Sequence, residues 1–327
     1  MISDEAYRSS TQYRHFSFPS KEKLNAQRAR ANANAQSRLP PEISYLTVDE
    51  DIELIDHYVT KLWELCRHFR AKSAVRVPLL SCRRLLTPST QVAATSFLLR
   101  YYLHNTPLTI HPHSLYPTAL FLASKTENEF IPLDRFKSHL PANLNIDESQ
   151  ITTLEFPLST GIQFSFTIWS CLRALWGFGL EITTLLNEGA FPESIDKDRV
   201  KKVLDDARSW ASESSRTDAQ FLYTPPQIAL ACIRHYNKEI VRLFVDIKFP
   251  PGMGAAELGQ RLLQTVEECE ALIAERLGVI ARRKGGEIEE IETKLARCIE
   301  VLDSMEHSAK RKADSADERE AKKSKSD

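Results

Sequence analysis

From Thr47 to about Phe69 the apolar residues Ile52, Leu54, Ile55, Tyr58, Val59, Leu62, Trp63, Leu65 and Cys66 recur at three- and four-residue steps. That spacing predicts an amphipathic helix with one broad buried face, opened by Thr47 ahead of Val48-Asp-Glu50. Ser89 to Leu103 is apolar on nearly all sides and predicts a central helix. Pro107, Pro112 and Pro117 bracket a predicted loop, and the run Thr118-Ala-Leu-Phe-Leu-Ala-Ser-Lys125-Thr-Glu-Asn128 then reads as helix. Pro132 and Pro141 flank a short helix, and Asp147 caps another from Glu148.

The pattern restarts after Phe164. Thr167 to Leu175 and beyond (Ile168, Trp169, Leu172, Trp176), Lys197 to Ala211, Thr224 to Tyr236 and Glu257 to Arg283 read as helices. Gly285-Gly286 breaks the last of these, and Ile288 to Met305 carries Ile291, Leu295, Cys298, Ile299 and Leu302 on one side. Two halves with about five helices each predict a duplicated all-α unit. Ahead of them, Pro19-Ser20 starts a helix over Lys21 to Gln36 whose only large aliphatic residue is Leu24, so it must lie against something else. The four tryptophans sit at helical spacing among aliphatics and read as core.

Composition narrows the function. The 327 residues, 42% hydrophobic and 27% charged, suffice for two domains, and a net charge of −1 supplies no whole-chain attraction to DNA or membrane. Six cysteines lie far apart with no C-x-x-C pair, which suits reduced, separately packed thiols rather than a disulfide frame or zinc site. The first of the ten glycines is Gly161, so the first half holds no phosphate-binding loop. His111-Pro-His113 lacks a third ligand and reads as loop histidines, not a metal site. No nucleophile, metal or phosphate motif marks an enzyme.

Lys125 ends its apolar run in the position of a helix C-terminal cation. Two readings stand: a lysine snorkelling along buried surface, or an ammonium at the rim of a partner-binding face. At the other end of the chain, Lys310-Arg311-Lys312, a spacer, and Lys322-Lys323-Ser-Lys325 have the form of a bipartite nuclear import signal on a tail too polar to fold.

Three segments carry a family resemblance: Ser10-Thr-Gln-Tyr-Arg-His-Phe-Ser-Phe18 with the helix behind it, Thr217-Asp-Ala-Gln-Phe-Leu-Tyr-Thr-Pro-Pro-Gln-Ile-Ala-Leu230, and Lys294-Leu-Ala-Arg-Cys298. Together with Lys125 and Glu155 they resemble the cyclins, in particular the branch that serves the CDK-activating kinase and transcription factor TFIIH, and the likeness runs nearly end to end. It implies an N-terminal extension and helix over 1–46, a first five-helix cyclin box over 47–164, a second over 165–284, a C-terminal helix over 285–308 and a disordered basic tail over 309–327. It implies a regulatory subunit that is not itself an enzyme and needs no cofactor. By the same resemblance Lys125 and Glu155 lie side by side and hydrogen-bond the mobile helix of a kinase, with Phe121, Leu122 and Phe156 as the apolar surround. The implied partners are a cyclin-dependent kinase, a RING-type assembly factor and the TFIIH core, with no direct nucleic acid and no membrane, in the nucleus. The activity implied is phosphorylation of kinase activation loops and of the RNA polymerase II C-terminal repeat. The alternative within this fold, a DNA-binding factor of the TFIIB kind, calls for a basic face and paired zinc cysteines that the sequence lacks.

Two departures from the family pattern stand out. The apolar and basic stretch Lys72 to Pro88 reads as an insertion between the first two box helices. Pro157 removes a helix hydrogen bond two residues after Glu155 and predicts a kink that turns the carboxylate aside.

Overall fold

The computed structural model describes residues 4–74, 86–250, 255–282 and 285–323, and among these every regular element is a helix. Three N-terminal helices, α1 (Asp4–Arg8), α2 (Thr11–Phe16) and α3 (Lys21–Gln36), precede a first unit of α4 (Val48–Ala74), α5 (Pro88–His104), α6 (Pro112–Thr126), α7 (Leu133–His139) and α8 (Glu148–Gly161). The second unit comprises α9 (Cys171–Asn187), α10 (Lys197–Ser214), the single turn α11 (Ala219–Leu222), α12 (Pro225–Tyr236), α13 (Lys238–Lys248) and α14 (Ala255–Arg282). A last helix, α15 (Gly285–Lys323), follows. The architecture is all-α: two five-helix units with added terminal helices.

Each unit has its own core. In the first, α5 is buried on almost every side and packs among Leu54, Val59, Leu62 and Phe69 of α4, Leu115 and Leu120 of α6, Phe136 of α7, and Ile151 and Leu158 of α8. In the second, α12 is central, with Ile228, Ala229, Cys232 and Ile233 among Leu175, Val200, Val241, Phe244, Val266 and Ile273. Thr224 opens α12 with a reciprocal capping box to Gln227 and a proline at the first turn, where its missing N–H costs nothing. The five described cysteines are buried free thiols, and burial pushes the Cys66 thiol up to about 12.

The terminal helices join the units. Leu24 on α3 is fully buried against the first core, and Phe18 N–H donates to the Phe221 carbonyl at 2.7 Å. Ile291, Leu295, Cys298 and Leu302 of α15 return to the first core rather than the second. There Tyr58 donates to Glu292 at 2.6 Å and Lys294 to Glu50 at 2.8 Å. Asp56 of α4 pairs with Arg276 of α14.

The structure departs from the sequence expectations at several elements. The lysine helix starts at Pro112, not Thr118, because the His111 ring accepts the His113 N–H as a cap and Pro112 fits the first turn; Pro117 lies inside the helix. The second unit starts at Cys171, not Thr167, because Gln12 of α2 takes both the N–H and the carbonyl of Trp169, at 2.8 and 3.4 Å. Helix α13 adds an element to those expected, with Ile240, Val241, Phe244 and Val245 at the helical period. The basic tail expected to be disordered from 309 continues as helical backbone to Lys323, in a stretch with no glycine or proline and many Ala, Glu, Lys and Arg residues. The expectation that all four tryptophans are core fails at Trp176, which is 63% exposed. Of the supposed insertion, 72–74 complete α4 and 86–88 lead into α5, capped by Thr87; residues 75–85 lie outside the described residues.

Candidate functional site

Lys125 occupies the last turn of α6, where its charge favours the carbonyl end of the helix, and Asn128 reverses the chain behind it at φ 59°. Glu155 lies on α8, whose start is set by a capping box between Asp147 and Gln150. The two helices pack side by side and bring the Lys125 Nζ to 2.5 Å from the Glu155 Oε1. The expected kink does not separate them: α8 runs unbroken through Pro157, and the carboxylate still reaches the lysine. Their side chains are 33% and 24% exposed, so each keeps hydrogen-bonding capacity toward a partner. The ammonium also lies 4.2 Å from the centre of the Phe121 ring. Lysine, carboxylate and ring hold one another in a set geometry.

The apolar residues named with this pair divide. Phe121 and Leu122 are 3% and 5% exposed, with the Phe121 ring 5.1 Å from that of Phe136 in the first core. They lie beneath the pair with almost no exposed surface, so any part they take in a surround is as support from the core. Phe156, by contrast, is 68% exposed. Its ring meets that of Phe164 edge to face at 6.5 Å, and Phe164 is itself 56% exposed. Sequence periodicity missed Phe164 because it lies past the end of α8. Gln163 and Phe164 both have left-handed backbones, φ 54° and 53°, where glycine is the usual occupant. Two successive non-glycine residues in that region hold an aromatic ring in solvent at a conformational cost, a combination found at functional sites.

Around this face, Glu127 follows α6. Burial, with Glu129 adding to it, raises its carboxyl, and Arg173 at the start of α9 opposes the rise. Glu129 accepts from the Thr87 N–H at 2.8 Å and the Thr90 hydroxyl at 2.5 Å, tying the end of α6 to the start of α5. The His111 Nε2 meets Glu292 Oε2 at 2.9 Å. Lys310, Arg311, Lys312, Lys322 and Lys323 of the basic tail stand along the α15 backbone, and Lys325 lies outside the described residues. No helix among the described residues is long and apolar enough to cross a membrane.

Two five-helix units, with a lysine from the third helix of the first paired to a glutamate on the fifth, have the fold of the cyclins. Residues 171–274 match the family model described as the cyclin C-terminal domain. Among relatives, the chain is similar to Cyclin CCL1 of Saccharomyces cerevisiae, 27% identical over 277 residues, 78% of this chain and 64% of that protein. It therefore spans less than two thirds of that relative's length. Cyclin mcs2 of Schizosaccharomyces pombe is 26% identical over 76% of this chain and 75% of its own, and Cyclin-H of Xenopus laevis 24% identical over 69% and 67%. In fold, the chain matches one in the CAK complex of Chaetomium thermophilum bound to ATP-gamma-S, with a TM-score of 0.76 over 95% of both chains at 24% identity. It also matches one in yeast TFIIK (Kin28/Ccl1/Tfb3), at 0.65 over 82% of this chain and 100% of that one, 25% identical. The chain is thus similar to cyclins of the cyclin H type.

Proposed function

We propose that this protein is the regulatory cyclin of a CDK-activating, TFIIH-type kinase module. The observation that carries the reading is the Lys125–Glu155 pair beside the exposed Phe156 and Phe164 rings: polar groups with free hydrogen-bonding capacity set in an apolar rim. The kinase's mobile helix docks here, its backbone meeting the lysine and carboxylate and its apolar side chains covering the rings. The cyclin contributes no catalytic group; it binds the active position of that helix better than the inactive one and so raises the competent population. A charged pair in such a contact sets register, and removing one member costs about 2–5 kcal/mol of binding. By likeness to a cyclin found with Kin28 and Tfb3, the assembly includes a kinase and a third, assembly-promoting chain. It joins the TFIIH core in the nucleus, with the basic residues of the tail serving import. Its phosphorylation targets are kinase activation loops and the polymerase C-terminal repeat.

The test is to measure binding and activation of the cognate kinase by the full chain and by Lys125→Ala and Glu155→Ala. Each variant is expected to weaken both by at least tenfold while melting like the parent. Wild-type activation in both variants would overturn the site.

A further inference from the structure

Phe164 stands on a turn that is pinned at both ends. At the near end a Cβ on Gly161 would collide with the Tyr101 ring of α5, so the last turn of α8 lies directly on that ring. There the Gln163 N–H donates to the Thr160 carbonyl at 2.9 Å and the Phe164 N–H to that of Ser159 at 2.8 Å, closing the helix. Both residues stand in the left-handed region, at a steric cost to each side chain. The far end is Ser165, which is 1% exposed. Arg100 of α5 donates from Nη1 to the Ser165 carbonyl at 3.1 Å and to its hydroxyl at 3.3 Å. The same hydroxyl bonds that of Thr11 on α2 at 2.7 Å.

An arginine is an expensive group to bury in that place. Arg100 is 1% exposed, its guanidinium lies over the Phe16 ring at 4.8 Å, and its Nε has no hydrogen-bond partner. Among the described residues no carboxylate pairs with it, and both of its hydrogen bonds go to Ser165. Burial pushes the guanidinium down to about 9, with Tyr7 opposing, so it stays charged at neutral pH. A buried cation without an anion costs stability, and apolar side chains fill such a place more favourably. Stability therefore does not account for this charge, whereas its target does. Hydrogen bonds from a charged donor are stronger than neutral ones, and in the core no water competes for the carbonyl. We propose that Arg100 is a positioning residue: by gripping Ser165 from within the first core it keeps Gln163 and Phe164 in the left-handed form and fixes the direction of the exposed Phe164 ring, which it does not touch. Thr11 adds a second grip on the same serine from the N-terminal helices. A ring held in one direction meets a partner without the loss of freedom that a swinging ring would suffer. The fixed direction is a property of this chain alone, and only its use in kinase binding rests on the reading proposed above.

The test uses the purified full chain without a kinase. Chymotryptic cleavage after Phe164, followed by mass spectrometry, reports opening of the turn, and 4-fluorophenylalanine incorporated at position 164 reports the ring by fluorine NMR. Arg100→Met keeps the length of the side chain and removes its donors. It is expected to speed cleavage after Phe164 at least tenfold and to move the fluorine resonance toward that of the free amino acid. Cleavage after Tyr236, an exposed site in the second unit, should change less than threefold. Gln163→Gly added to Arg100→Met should restore protection at least threefold, because glycine takes a positive φ without strain. An arginine that only filled space would gain nothing from that glycine. Unchanged cleavage and resonance in Arg100→Met overturn the proposal, and so does a failure of Gln163→Gly to restore protection. If Arg100→Met does not fold, Ser165→Ala decides, since it removes the hydroxyl that Arg100 and Thr11 both hold: faster cleavage after Phe164 supports the proposal and an unchanged rate overturns it. Titration with the cognate kinase is read separately. A released ring with unchanged kinase affinity sinks the kinase reading at Phe164 and leaves the positioning role standing.

Discussion

Arg28 of the N-terminal helix α3 grips Asp218 at the mouth of the second unit with both arms of its guanidinium, Nη1 to Oδ2 at 2.9 Å and Nη2 to Oδ1 at 2.5 Å. The residues are 190 apart in sequence, and their side chains are only 12% and 18% exposed. Burial alone would raise the Asp218 carboxyl, but the hydrogen bonds and charge of Arg28, with Arg276 and Lys21 behind them, hold it below its usual value. The pair clamps the N-terminal helix across both units. Arg28→Ala should destabilise the protein by about 3–5 kcal/mol, because it leaves a buried carboxylate unpaired. Asp218→Asn should cost a comparable amount and the double variant less than the sum, by urea denaturation. A depressed carboxyl stabilises above its unfolded pKa near 4, so the wild-type advantage over Asp218→Asn should fade as pH drops through and below that value.

Phe164 should separate binding from stability. Its ring is 56% exposed and its backbone left-handed, so Phe164→Ala removes little core packing. Stability should change by less than about 1 kcal/mol, since alanine keeps the same backbone restriction and the ring lies mostly in solvent. Kinase affinity, read by titration, should fall at least tenfold, as expected for an aromatic anchor.

Asp51 accepts from the Tyr45 hydroxyl and from the Asn32 amide, each at 2.7 Å. Burial nevertheless dominates and pushes its carboxyl up to about 6. A raised carboxyl favours folding below its unfolded pKa and loses that contribution as pH rises through its folded value. At neutral pH the buried charge therefore costs roughly 3 kcal/mol, two pKa shifts of 1.4 kcal/mol each. The stability difference between wild type and Asp51→Asn should move in favour of the variant as pH rises from about 4 to about 6, and level off above that. Chemical denaturation across that range measures it. A flat difference would contradict the burial argument.

Leu295 of α15 is fully buried in the first core, far in sequence from the helices around it. Leu295→Ala should cost about 2–5 kcal/mol, the range for a core leucine that leaves a cavity. The loss should appear in urea melts and in faster hydrogen exchange along α4, the helix that α15 lies against through Tyr58–Glu292 and Glu50–Lys294.

Pro157 interrupts the hydrogen bonding of α8 without turning Glu155 away from Lys125. Pro157→Ala should therefore raise the melting temperature, by an amount worth about 1–3 kcal/mol, as an exposed helix regains a bond and a good helix former. Kinase affinity should stay within threefold, because the pair is already formed. A gain in affinity larger than tenfold would show that the proline misaligns the site.

The helices were legible because their signals are local. Apolar spacing along α4, the caps at Ser20, Asp147 and Thr224, and the central character of α5 are all written within a few residues of where they act. Lys125 was marked the same way, as a cation closing an apolar run. Periodicity says that a residue has a buried face, but not what lies across it. Hence Phe121 and Leu122, next to the lysine, turn out to be core, while Trp176, at helical spacing, is exposed. Only the packed helices decide that Lys125 meets Glu155, that Arg28 meets Asp218, and that α15 closes the first unit instead of the second. The sequence determined an all-helical, twice-repeated chain with a lysine poised at a helix end. The resemblance named Glu155 as the lysine's neighbour, and the tertiary structure supplied their contact and the exposed rings beside it, because pairings between distant segments depend on which faces the cores leave free.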